Sequence, residues 1–247
     1  MDIELCSFSS SVLFKDRLEE SIRIELCSNF HQGGTTPSPS AFLRARNKLV
    51  NKIYIMIRPR GGYFYSSDEE FDLINEEVLW FKENGADGIV IGLLNIDGSV
   101  DKQRTAELVQ LVAPLPVTFH RAFDVSADLN QALEDIIETG CARILSSGGE
   151  RTVDGGFNKL LELKRQAKGR IEIMPGGGVT IDNVQQFIDA GFMNIHLSSK
   201  KMVKSKMLYQ SNLSMTANPM ISSFDYIGVY FEKLQQFTSY VRENEIL

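Results

Sequence analysis

The sequence predicts an α/β protein built as one eight-stranded (β/α)8 barrel. Three observations predict it. Eight short apolar runs recur with starts about 19 to 35 residues apart, the length of one strand–helix unit. Polar or glycine-rich turns follow the runs, and helical spacing comes next. Three helical segments end in a glycine that leads straight into the next run: Gly85 in ENGADGIVIG, Gly140 in ETGCARIL and Gly191 in DAGFMNIHL. A glycine just past a helix is the usual left-handed cap. An open doubly wound sheet shares part of this grammar, but eight repeated units use up residues 1–247 as a single domain.

The elements follow in order. Ile3–Cys6 is the first run, and its pentapeptide IELCS returns in the second, Ile22–Cys27. Ile53–Arg58 is the third, with Ile53, Ile55 and Ile57 on the side that faces the helices. Asp68–Asn84 reads as a helix, because Phe71, Ile74, Val78 and Phe81 step by three and four behind an N-cap at Ser67 or Asp68. Gly88–Gly92 and Val117–Arg121 are the fourth and fifth runs, and Leu129–Glu138 is helical. Arg143–Ser147 and Ile171–Met174 come next, then a helix over Asn183–Ala190 and the eighth run, Asn194–Ser198. Beyond it, KKMVKSKMLYQSNLSMTANPMISS is polar and irregular, and Tyr226–Arg242 has helical spacing. The expectation is strands within residues 3–198, then a long loop over one end of the barrel and a closing helix within 199–247. Loops of that length are usually functional or mobile.

Composition excludes several classes. There are 26 Lys and Arg against 32 Asp and Glu, a net charge of −6, which argues against a dedicated nucleic-acid binder. No run of about 18 apolar residues exists to span a membrane. The start, MDIELCSFSSSVLF, carries acids where a signal peptide needs basic residues. Three cysteines, Cys6, Cys27 and Cys141, are too few and odd in number for a secreted disulfide scaffold. A cytoplasmic protein with free thiols is the expectation.

Strand alternation then sorts side chains. In Ile24-Glu25-Leu26-Cys27 the apolar pair faces the helices, so Glu25 and Cys27 point into the barrel, and likewise Glu4 and Cys6. Cys6 and Cys27 are expected at equivalent depth on neighbouring strands, a soft pair suited to Cu(I) or Zn. Two small buried apolar side chains is the plainer alternative. Cys141, beside a helix-capping glycine, is read as inert. Arg58, Arg60, His120, Arg121, Glu172 and His196 are expected at or near the C-terminal strand ends, where barrel active sites are built. Glu25, Arg58, His120, Glu172 and His196 together are suited to acid–base catalysis on a bound anion. Arg58, Arg60, Arg121 and the turn Gly176, Gly177, Gly178 are the anion-binding candidates. The alternative is an ionic network that only fills the barrel. His31 and the cluster Lys200, Lys201, Lys204 and Lys206 are read as solvated.

Taken together, IELCS, Gly33-Gly34 with Thr36-Pro37-Ser38, IMIRPRGG, VIGLLNIDGSVD, VTFHRAFD, RILSSGG, IMPGGGV and IHLSS resemble the CutC family of copper homeostasis proteins, in order and spacing from about Met1 to Ser198. The Tyr209–Met215 stretch is similar too. The resemblance implies a TIM-type barrel, a cytoplasmic location, copper binding as Cu(I), a role in copper tolerance or trafficking, and a homodimer or higher homo-oligomer. It places the copper candidates at Cys6 and Cys27, and shared strand-end positions at Glu25, Arg58, Arg60, His120, Arg121, Glu172 and His196. Three features depart from the family pattern: no glycine precedes the second strand in LEESIRIELC, GGTTPS stands for GGLTPS, and Gln210 lies where a basic residue is common. Three functions follow in order. The first is copper homeostasis, and the second is an enzyme acting on a small anionic or phosphorylated metabolite. The third is a scaffold whose ionic core only specifies the fold.

Overall fold

Within each apolar run the large aliphatic residues fall on every second position, so a strand buries one face against helices and turns the other inward. The structure, a computed structural model, describes residues 1–8, 18–209, 213 and 225–245. All eight runs are strands: β1 (Asp2–Ser7), β2 (Arg23–Leu26), β3 (Ile53–Met56), β4 (Gly88–Ile91), β5 (Val117–Phe119), β6 (Arg143–Ser146), β7 (Glu172–Pro175) and β8 (Asn194–Leu197). Neighbours pair in parallel in the order β7-β6-β5-β4-β3-β2-β1-β8. A bridge between Gly176 and His196 joins β7 to β8 and closes the ring. The expected barrel is therefore the observed fold, and an open sheet is not. Several strands stop short of their expected C-terminal ends, because the chain leaves the sheet into the turns that carry Arg58, Gly92 and His120.

Six helices connect successive strands from β2 onward: α1 (Pro39–Arg46), α2 (Asp68–Glu83), α3 (Lys102–Val112), α4 (Leu129–Thr139), α5 (Val153–Ala167) and α6 (Val184–Asp189). Ser67 is the α2 N-cap, in a reciprocal capping box with Glu70. The three helix-ending glycines all adopt positive φ: 91° at Gly85, 84° at Gly140 and 68° at Gly191. The main core lies between barrel and helices, where Ile3, Leu5, Ile24, Leu26, Ile53 and Ile55 meet Phe42, Phe81 and Phe187. A second, smaller cluster sits inside the barrel and contains Cys6, Cys27, Tyr54, Met56 and Val90. No helix among the described residues is long and apolar enough to cross a membrane.

The tail corrects two expectations. Residues expected to begin a loop form β9 (Lys200–Lys204), which pairs antiparallel with β10 (Asp225–Val229). The closing helix, α7, covers Phe231–Asn244 instead of starting at Tyr226. It buries Leu234, Phe237 and Val241, and its Tyr240 hydroxyl donates to Gln185 of α6 at 3.0 Å. Gln210 and most of Tyr209–Met215 lie outside the described residues.

Candidate functional site

The floor of the site is built by β1 and β2. Their register sets Glu4 opposite Arg23 and Cys6 opposite Glu25, so Cys27 stands two residues beyond the partner of Cys6. Equal depth was expected from the repeated pentapeptide, but the hydrogen-bond register is staggered. Barrel strands tilt, and the two sulfurs still lie 3.5 Å apart as free thiols. Cys6 lines the cavity above; Cys27, 1% exposed, does not. The thiol contact with Cys27 and burial push Cys6 well above the usual thiol value, and burial raises Cys27.

Around the thiols runs a buried polar chain. Arg23 Nε donates to Glu4 Oε2 at 2.5 Å, and its Nη2 donates to Asn194 Oδ1 at 3.0 Å. The Arg23 and Arg143 guanidiniums each lie 5.1 Å from the Tyr54 ring centre. Glu4 Oε1 accepts from His196 Nδ1 at 2.9 Å, and His196 Nε2 is 3.8 Å from Glu25 Oε2. Burial opposes the Glu4 charge, but the His196 hydrogen bond and the Arg23 charge outweigh it and hold the carboxyl at about 2. Burial likewise opposes a charged His196, but the Glu25 carboxylate, with Cys6 and Glu4, holds the ring well above the usual histidine range. Burial pushes Glu25 up, and Glu4 adds to it. Donor atoms of Cys6, Glu25 and His196 lie within 4.8 Å of one another, close enough to share one metal ion.

Above the floor, a cavity of about 580 Å³ opens at the C-terminal end of the strands. His120 lines it. The Ala122 backbone N–H donates to His120 Nδ1 at 3.1 Å, which leaves the ring proton on Nε2. Burial and the Arg58 charge push this ring down to about 3, so it is neutral. Gly92 makes room for it: a Cβ there would fall 2.2 Å from His120 Cε1. Arg58 lines the same space and ties the turns together, donating to the carbonyls of Gln32, Gly34 and Gly62 at 2.7, 2.8 and 2.6 Å. Its guanidinium lies 4.8 Å from the Phe64 ring centre. Arg121 lines the far wall, donating to Asp124 and Ser147, both at 2.6 Å. Gly177, next to Arg121, and Gly178 and Lys200 also line the cavity.

The structure thus brings together Cys6, Cys27, Glu25 and His196 at the floor, and Arg58, His120, Arg121, Gly177 and Gly178 around the cavity. It moves three expected residues out. Glu172 is the first residue of β7 and is exposed at the opposite end of the barrel. Arg60 is exposed, paired with Glu70, and away from the cavity. Gly176 spends its N–H on Ser146 and its close approach on the β7–β8 seam. His31 is exposed, as expected, and Cys141 packs in the helix-facing core. Of the lysines, Lys200 reaches the cavity and lies 4.5 Å from the Phe30 ring centre. Arg23 was not singled out by the sequence. Its signal was available, since it stands on the inward side of Arg23-Ile24-Glu25 with Glu25. Lys233 and Phe237 of α7 also line the cavity, and nothing local in the sequence points there.

Comparison with known proteins agrees with this architecture. The model of the CutC family matches residues 1–201. A CutC family protein of Chromobacterium violaceum is 42% identical over 209 residues, 84% of this chain and 85% of that protein. The Homo sapiens copper homeostasis protein cutC homolog is 40% identical over 205 residues, 83% of this chain and 75% of the relative. The crystal structure of CutC from Streptococcus agalactiae superposes with a TM-score of 0.72 at 33% identity, covering 78% of this chain and 96% of that one. A matching family model over most of the chain, identities near 40% and a shared barrel all point one way: this chain belongs to the CutC family.

Proposed function

We propose that this chain is a cytoplasmic copper homeostasis protein that takes up copper as Cu(I) at the Cys6–Cys27 pair. The observation that carries this reading is the pair itself: two free thiols 3.5 Å apart inside the barrel, on adjacent strands. Thiolates are soft ligands and select Cu(I) among available metals. Glu25 and Glu4 close by favour a cation, and His196 becomes a further donor once the arriving cation displaces its proton. Copper is cargo in this reading. It enters through the cavity, meets Cys6 first and reaches Cys27 behind it. Relatives named for copper homeostasis, at 40 and 41% identity in human and mouse, support the same role. Self-association into a homodimer or larger homo-oligomer belongs to the reading and is measured by sedimentation.

The test is competition for Cu(I) between the reduced protein and a chelator. Wild type is expected to bind, and Cys6→Ala and Cys27→Ala are each expected to lose at least about tenfold in affinity, roughly 1.4 kcal/mol. Wild-type affinity in both variants would remove the site.

A further inference from the structure

The copper reading leaves most of the cavity without a task. A single ion at the floor needs little of about 580 Å³, a volume in the range of small-molecule sites. Among the described residues, three that line the cavity each carry a buried polar atom without a partner: His120 Nε2, Glu25 Oε1 and Arg58 Nε. His120 is 4% exposed and Glu25 is 2% exposed. A buried donor or acceptor left unmade costs about 1–3 kcal/mol, so native proteins seldom keep one without a use for it. Because Nδ1 accepts from Ala122, His120 Nε2 carries the proton and requires an acceptor. Glu25 Oε1 accepts.

Charge and walls narrow the ligand further. Among the described residues, five basic side chains line the cavity, Arg58, Arg121, Arg151, Lys200 and Lys233, against the two carboxylates of Glu25 and Asp182. A locally positive mouth on an acidic protein concentrates anions. Phe30, Phe64 and Phe237 supply an apolar wall, which suits a carbon skeleton and is wasted on a bare inorganic ion.

We propose that the barrel mouth binds a small hydroxylated organic anion, a polyol or sugar bearing a phosphate or a carboxylate. One neutral oxygen of the ligand accepts from His120 Nε2, a hydroxyl donates to Glu25 Oε1, and the charged group lies against Arg58 and the rim cations. This site goes beyond the copper reading and does not rest on it. Cys27 plays no part in it.

Isothermal titration of the reduced, metal-free full chain tests the proposal. The probes are glycerol 3-phosphate, ribose 5-phosphate and gluconate, with glycerol, ribose and inorganic phosphate as controls. The phosphate and carboxylate arms identify the charged group. At least one organic anion is expected to bind with a Kd below about 1 mM, at least about tenfold tighter than its controls. Long-range proton–nitrogen spectra of the three histidines are expected to show the His120 Nε2–H signal moving with saturation. His120→Phe is expected to lose at least about tenfold in affinity. If that variant does not fold, the wild-type spectrum still decides. Cys27→Ala is expected to lose copper while keeping the anion, which separates the two sites. No anion binding tighter than the controls, binding that leaves the His120 signal unmoved, or loss in Cys27→Ala would each overturn the proposal.

Discussion

His120 is a histidine whose tautomer, charge and exposure are all set by its neighbours. The Ala122 N–H fixes the proton on Nε2, and burial with the Arg58 charge keeps the ring neutral down to about 3. Between that value and the ordinary histidine value near 6.5, the unfolded chain binds a proton here and the folded chain does not. Stability at this ring therefore rises with pH across the window and falls as acid is added, by an amount of order a few kcal/mol. Denaturation of wild type and His120→Phe from pH 7 to pH 4 checks this: the variant should lose stability less steeply. The difference between the two curves isolates the ring from Glu25, whose raised carboxyl slopes the opposite way. At this scale much of the site was legible. Alternation placed Cys6, Glu25 and Cys27 inside, and the ends of the apolar runs placed Arg58, His120 and His196 near the C-terminal strand ends. A short apolar run gives no height along the barrel, so Glu172 was grouped with the strand-end residues although it begins β7. Arg60 was misplaced for a related reason: past Met56 the chain has left β3, and the period of two no longer applies.

Helices and strands with a strong local period were read closely from the sequence. Asp68–Asn84 became Asp68–Glu83, with Ser67 as cap. The capping box satisfies N–H groups at both Ser67 and Glu70, at 3.0 and 3.2 Å. Ser67→Ala is expected to lower stability by about 1 kcal/mol, measured by thermal denaturation, with no effect on copper or anion binding. The β9–β10 pair was missed because β9 has no buried face to pattern and β10 buries only Gly228 and Val229 at its end. KKMVK is nearly all exposed, and its partner begins more than twenty residues later. Tyr226, Ile227 and Val229 fit helical spacing as well as a strand, and only the pairing with β9 decided between them. A short run is ambiguous in period, and a distant partner breaks the tie.

The closed barrel is the property of the whole molecule on which both sites depend. Its seam between β7 and β8 rests on the Gly176–His196 bridge, and His196 also anchors the floor. A Cβ at residue 176 would lie 2.4 Å from Leu145 Cδ1 and 3.0 Å from His196 Cβ. Gly176→Ala is therefore expected to cost about 2 kcal/mol, read as a lower urea midpoint within one cooperative transition. Two separable transitions would show that residues 1–247 do not fold as one domain. The eight strands, their order along the chain and the inward residue types were determined by the sequence alone, because strand period and turn chemistry are local. Only the tertiary structure decided how high each side chain sits and which groups meet. The strand register set Arg23 opposite Glu4 and brought Cys27 to Cys6 across a stagger, and the packing left His120 Nε2 without a partner among the described residues. Tilt and closure are set by all eight strands at once, so no single stretch of sequence can encode them.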